Sequence, residues 1–259
     1  MTSRPSKAQT ALDLGHFSAG DPVVALLEGH PDSGFVDVET VLHLNGYEAI
    51  AGVDEAGRGA CCGPITIAAC VLPDILPAEL ALLNDSKKLT AKQRAKLFPQ
   101  ICKNACSYAI VHFSAEDVDI RGLQFCNVQG MIDAVAQLDP QPDYVLHDQM
   151  SGVSFSQPAT SVVRGDARVR TIAAASILAK HARDSLMVQL DEQYPGYGLA
   201  KHKGYGVKNH IDAVRRLGGS PEHRYSYSNV QRAHEQWLSQ ASPNPAGEAE
   251  YERRRSRKL

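Results

Sequence analysis

Apolar and polar positions change period several times along this chain. Residues 47–53 and 64–72 are apolar, β-rich runs separated by a glycine-rich turn, which predicts an antiparallel pair. Residues 89–106 follow helical spacing behind Thr90, a suitable cap, with Pro99 expected to kink or interrupt them. A third strand is predicted over 108–113, then a helix over 123–138 with Phe125, Val128, Ile132 and Val135 on one side. Short apolar strands follow at 144–146 and 161–163. A long alanine-rich helix is predicted at 171–190, and two further helices at 207–217 and 228–238. Strands giving way to helices in this order predict an α/β fold, a mixed sheet packed with helices, followed by a helical appendage.

The two ends read differently. Residues 1–46 are rich in Ser, Gly, Pro and Asp and predict a loosely ordered extension that ends in a short helix before Gly46. From 242 onward almost nothing is apolar, and a disordered basic tail is expected, with Arg253, Arg254, Arg255, Arg257 and Lys258 as a solvated charge run.

Composition narrows the class. Of the 259 residues, 43% are hydrophobic and 22% charged, the profile of an ordinary soluble globular protein. The longest apolar run, 65–72, is far short of the ~20 residues of a membrane helix. No charged-then-apolar leader opens the chain, so a cytoplasmic protein is expected. Six cysteines without CxxC spacing read as buried thiols, and no zinc site is expected. Net charge is only −2, but residues 201–224 hold six Lys/Arg against two acids, and residues 164–183 five against one. Such local patches, not the total, set the field that a phosphate chain meets.

Asp54 and Glu55 sit where an apolar run meets glycines, Asp148 follows the run 144–146, and Asp166 follows 161–163. Three strands thus deliver acids at their C-terminal ends. Buried together, these carboxylates would repel one another, and a hard divalent cation such as Mg²⁺ would relieve that cost. The alternatives are a solvated Asp-Glu pair at a turn and, for Asp166, a helix N-cap.

Five motifs in order carry a resemblance: GVDEAGRG (52–59), NDSKKLT (84–90), RGD (164–166), IAAASILAK (172–180) and HKGYG (202–206). Over residues 47–236 the chain resembles type 2 ribonuclease H, the bacterial ribonuclease HII family. The resemblance implies an RNase H-like catalytic core at 47–200, with a helical, substrate-binding extension at 201–241. It implies a monomeric, metal-dependent endoribonuclease, using Mn²⁺ or Mg²⁺, that cuts the RNA strand of RNA–DNA hybrids and nicks DNA beside single embedded ribonucleotides. The family's metal-binding acids map to Asp54, Glu55, Asp148 and Asp166. Its sensor of the ribose 2′-OH maps to Gly57, Arg58 and Gly59, and its sugar-packing tyrosine to Tyr205. Lys87 and Lys88 match a substrate-contacting segment. The chain departs from the family's usual residues at 60–62, at His147 and Gln149, and over 167–170; none of these changes removes an acid.

The remaining candidates read more plainly. Lys180 and Asp184 suit a surface pair, residues 173–175 close helix packing, and His147 a structural role. His202, His210 and His223 are read as phosphate neighbours rather than metal ligands. Two competing readings stay open: another metal-dependent nuclease or strand-transferase of the same fold, and a non-catalytic nucleic-acid binding module.

Overall fold

The structure is a computed structural model describing residues 22–30, 34–240 and 245–257. Its centre is a five-stranded mixed sheet of β1 (Ile50–Ala56), β2 (Ile65–Val71), β3 (Ser107–Phe113), β4 (Tyr144–Asp148) and β5 (Ala159–Val162), in the order β3-β2-β1-β4-β5. The pairs β1/β2 and β2/β3 are antiparallel, the first joined by a short glycine-rich turn and the second by the long connection over 72–106. The pairs β1/β4 and β4/β5 are parallel.

The helices, in chain order, are α1 (Pro22–Gly29), α2 (Val38–Leu44), α3 (Ala91–Asn104), α4 (Ala115–Arg121), α5 (Leu123–Ala136), α6 (Arg170–Gln193), α7 (Leu199–His202), α8 (Lys208–Leu217), α9 (Ser228–Leu238) and α10 (Pro245–Ser256). Alternation along β1 and β2 sends Ala51, Val53, Ile65, Ile67 and Ala69 into a core with Met131, Ala134 and Val135 of α5. Ala68 and Cys70 face the other way, onto Ala174, Ala175, Ile177 and Leu178 of α6, which Leu97 and Ile101 of α3 back. The alanines of α6 allow a close approach to β1. A Cβ on Gly52 would lie 2.1 Å from the Thr171 carbonyl carbon, so only glycine fits that crossing.

Several details differ from the sequence reading. The helix α3 has the expected Thr90 cap, completed by Gln93 as a capping box, but it runs through Pro99 without ending. Its buried Leu97 and Ile101 hold the turn that contains the proline. On α5 the buried side is Cys126, Gly130, Met131, Ala134 and Val135, whereas Phe125 is exposed under the Arg121 guanidinium. Gly130 explains the rotation: a Cβ there would meet Ile67 Cδ1 at 2.5 Å, so the helix presses its smallest residue onto β2.

Both ends are more ordered than their composition suggests. Val23, Leu27, Val36, Val38 and Leu42 pack against Ile50, Tyr144, Leu146, Val169 and Ile172, which makes α1 and α2 part of the core; the stretches 1–21 and 31–33 lie outside the described residues. The tail expected to be disordered over 242–259 carries α10, and only 241–244 and 258–259 fall outside the described residues. Buried Arg254 pairs with Asp119 at 3.2 Å and Glu250 at 2.7 Å, and Arg253 pairs with Glu116 at 2.5 Å. Tyr251 enters the apolar cluster of Ile211, Val214, Tyr225 and Val230. These arginines are therefore engaged by acids within the fold. No helix among the described residues is long and apolar enough to cross a membrane.

Candidate active site

The sheet register brings the acids together. β1 continues past Val53, so Asp54 and Glu55 lie inside the strand, opposite Ala68 and Ile67 of β2, and not at its end as the sequence suggested. On the other side, β1 and β4 pair in parallel up to Val53 and His147, which places Asp54 and Asp148 one residue beyond on adjacent strands. Asp148 in turn pairs with Val162 of β5. Asp166 sits just after β5 in a single 3₁₀ turn (Gly165–Ala167), and the N-cap of α6 is Val169, so Asp166 is not that helix's cap. The Gly165 N–H donates to Asp148 Oδ1 at 2.7 Å and ties the turn to β4.

Charge makes the cluster costly when empty. Burial, then repulsion from Glu55 and Asp148, raises the Asp54 pKa well above the ordinary carboxylate value. Burial followed by Asp148 raises Glu55, and burial raises Asp148 as well. Lys87 reaches in with an otherwise exposed side chain and donates to Asp166 Oδ2 at 2.8 Å. Burial opposes its charge, but Asp166, with Asp54 and Asp148 behind it, outweighs that and raises its pKa. Lys88 is also exposed but is not joined to the four acids by any ion pair among the described residues. His147 is buried, donates from Nδ1 to the Asp148 carbonyl at 3.0 Å, and packs on Phe155, as a structural residue would.

Beyond β1 the chain turns through Gly57, Arg58 and Gly59. Gly57 has φ +90° and leaves room for Arg183, whose Nε would lie 1.9 Å from a Cβ at that position. Arg58 and Gly59 are exposed. Across from them the HKGYG loop places the Tyr205 ring 3.9 Å from the point where a Gly59 side chain would begin. The two loops are sewn together: Cys61 N–H donates to the Gly204 carbonyl at 2.9 Å, and a Cβ on Gly204 would lie 2.2 Å from the Cys62 oxygen.

The profile of the ribonuclease HII family matches residues 51–230. Ribonuclease HII of Corynebacterium diphtheriae is 54% identical over 202 residues, which span 78% of this chain and 88% of that protein. The chain belongs to the ribonuclease HII family. Ribonuclease HII of Corynebacterium glutamicum is 55% identical over 197 residues, 76% of this chain and 94% of that one. Among solved structures, ribonuclease H2 of Pyrococcus horikoshii OT3 shares the fold, with a TM-score of 0.65 at 23% identity, over 74% of this chain and 100% of that chain. As a type 2 ribonuclease H the protein is a metal-dependent endoribonuclease acting on RNA–DNA hybrids.

Several residues around this candidate site were not singled out from the sequence. Arg183 and Arg224 are fully buried, and among the described residues neither has a carboxylate ion-pair partner. Arg183 donates to the carbonyls of Pro64 (2.8 Å), Lys203 (2.9 Å) and Cys62 (3.0 Å). Arg224 donates to Gly63 and Arg58, each at 3.1 Å. Asn127 of α5 lies beside Glu55, and Ser176 of α6 beside Asp54, and each favours the charged carboxylate. A buried Asn or Ser inside an apolar helical face is the signal that would have found the last two. The expected Lys180–Asp184 pair forms at 2.8 Å but is partly buried and shared with Arg94.

The histidines correct another expectation. His210 and His223 are fully buried, so they cannot be phosphate neighbours. His202, half-buried, bonds to the Tyr197 carbonyl. Burial lowers the His210 pKa to about 4 and that of His223 well below its ordinary 6.5. The unfolded chain therefore binds protons first, so the stability of the neutral pair is full above pH 6.5 and is lost as pH falls toward 4. Relative to His223→Gln, the wild type should lose about 1.4 kcal/mol per pH unit for each buried histidine removed, read from urea midpoints. A difference that does not change with pH would show that the pair is not held neutral.

Proposed function

We propose that this ribonuclease, besides hydrolysing the RNA strand of hybrids, nicks duplex DNA on the 5′ side of a single embedded ribonucleotide, leaving 5′-phosphate and 3′-hydroxyl ends. In this reading Asp54, Glu55, Asp148 and Asp166 hold two divalent ions, Mg²⁺ or Mn²⁺. The donor set suits such ions: hard carboxylate oxygens, three of the four carboxyls with pKa values raised by burial and mutual repulsion, and the Lys87 ammonium beside them. When bound, the ions supply an activated water and a counter-charge for the leaving 3′-oxygen.

The observation that carries the specificity is the placement of Gly59 and the Tyr205 ring against each other, directly beyond the strand that bears Asp54 and Glu55. Without a side chain, Gly59 lets a ribose approach the backbone, where the 2′-OH can both donate and accept. Arg58, exposed next to it, is free to hold the adjacent phosphate with several donors. The half-exposed Tyr205 offers a flat ring to the neighbouring sugar, a contact that a second hydroxyl would crowd. Lys87, already at the carboxylates, follows the phosphate as the site fills.

The test is incubation of a DNA duplex containing one ribonucleotide beside an all-DNA duplex, in Mg²⁺, in Mn²⁺ and with EDTA. Cutting only 5′ of the ribonucleotide, lost with EDTA, is expected. Cutting of both duplexes would reject the Gly59–Tyr205 reading, and binding without cutting would reject nicking at a single ribonucleotide.

A further inference from the structure

Behind the HKGYG loop, Cys62, His210 and His223 are all buried, with candidate ligand atoms within 4.8 Å of one another. That spacing suits a metal ion, but the protons decide otherwise. The Ser220 backbone N–H points at His223 Nδ1 at 2.9 Å, so that nitrogen is an acceptor and the ring proton sits on Nε2. His210 Nδ1 lies 2.9 Å from the Tyr205 carbonyl and can only donate there, which leaves His210 Nε2 as an acceptor. The two Nε2 atoms are 3.0 Å apart, and the proton of His223 fits between them. An ion on both Nε2 atoms would force a proton onto His223 Nδ1, against the Ser220 N–H. Every hydrogen bond thus runs one way, from Ser220 through His223 and His210 to the backbone of Tyr205. His202 stacks on His210 with ring centroids 4.3 Å apart, and its Nδ1 accepts from the Gly204 N–H at 3.3 Å.

We propose that His223 and His210 are positioning residues whose one-way hydrogen-bond chain holds the Tyr205 carbonyl, and with it the Tyr205 ring, where the ring meets a substrate carrying a single ribonucleotide. The proposal rests on the reading of Tyr205 given above. It does not require either imidazole to touch substrate. The loop has reason to need this hold: Gly204, with φ +79°, lies between Lys203, itself at φ +53°, and Tyr205, so the conformation is not one the local sequence would keep unaided.

Asn and Gln separate the two ring nitrogens. An Asn amide reaches where Nδ1 stands and a Gln amide where Nε2 stands. His210→Asn keeps the donor to the Tyr205 carbonyl, whereas His210→Gln loses it. At His223 the order reverses, because Gln preserves the donor toward His210. His210→Gln is expected to lower kcat/KM for nicking at a single ribonucleotide about tenfold, with His210→Asn within about threefold of wild type. The double variant Tyr205→Ala/His210→Gln should be no worse than Tyr205→Ala alone, since both remove the same contact.

Imidazole ¹⁵N spectra of the wild-type protein give a reading independent of any variant's folding: the proton is expected on Nδ1 of His210 and on Nε2 of His223. Equal loss for Asn and Gln at 210, additive losses in the double variant, the opposite tautomers, or a zinc ion retained through EDTA dialysis would each overturn the proposal. If Tyr205→Ala itself leaves nicking unchanged, the assignment of Tyr205 fails and the proposal with it. If Tyr205→Ala impairs nicking and His210→Gln does not, only the histidine chain is rejected.

Discussion

Asp54→Asn is expected to lower hydrolysis of an RNA–DNA hybrid by about a thousandfold or more, about 4 kcal/mol of transition-state stabilisation, while making the metal-free protein harder to unfold. The two effects share one cause. Asp54 is buried beside Glu55 and Asp148, and its proton is held more tightly in the folded chain than in the unfolded one. The metal-free fold therefore loses stability as pH rises above 3.8, the ordinary value, and at neutral pH carries a repulsion that the neutral amide removes. In the proposed two-ion site the amide also removes a charge that would hold the metal. Thermal melts with and without Mg²⁺ or Mn²⁺ should show wild type gaining stability on metal addition and Asp54→Asn starting higher but gaining little. A variant that melts lower than wild type without metal, or that keeps normal turnover, would contradict this account of the cluster.

Arg183→Ala is expected to cost more stability than any single change on the protein's surface. One fully buried guanidinium satisfies three carbonyls, of Cys62, Pro64 and Lys203, which belong to the two loops meeting at Tyr205. Burial and the neighbouring Arg224 bring its pKa down only to about 10, so it stays charged. At about 1–3 kcal/mol for each buried acceptor left without a donor, the loss is about 3–9 kcal/mol. Lysine should restore little, because one ammonium on a flexible stem cannot reach three carbonyls in a fixed fork. Urea midpoints would measure the loss. Recovery of most of the stability by Arg183→Lys would mean that charge, not fork geometry, matters at this position.

The convergence of the acids on one part of the sheet was legible because strand ends are cheap to read. Asp148 and Asp166 each follow a short apolar run, and the glycines after Glu55 mark a turn that must leave the sheet. What the sequence hid was burial of polar residues. His210, His223, Arg183 and Arg224 occur in basic stretches and look solvated, yet each is enclosed, bonded to backbone carbonyls or to another ring. The helix α10 was missed for the same reason. Its arginines resemble a solvated run until Glu116, Asp119 and Glu250 are seen to face them from α4 and from within α10 itself. Side-chain spacing could not show that Met131 and not Phe125 of α5 faces the sheet, since the choice depends on how close Gly130 comes to Ile67.

The parallel register of β1 and β4 has a consequence for how this protein can change in length. Asp54 and Asp148 stand together because Val53 is level with His147, and side chains alternate faces at every residue. Deleting or inserting one residue within β4 ahead of Asp148 would turn that acid to the α5 side and bring His147 or Gln149 into its place. No substitution elsewhere could repair this. The connections at 150–158 and 73–84 lie outside the register, and there added residues leave the pairing of Asp54 with Asp148 untouched, provided that Lys87 still reaches Asp166. Variation in length should therefore collect in those two stretches, while the strands admit changes of side chain only.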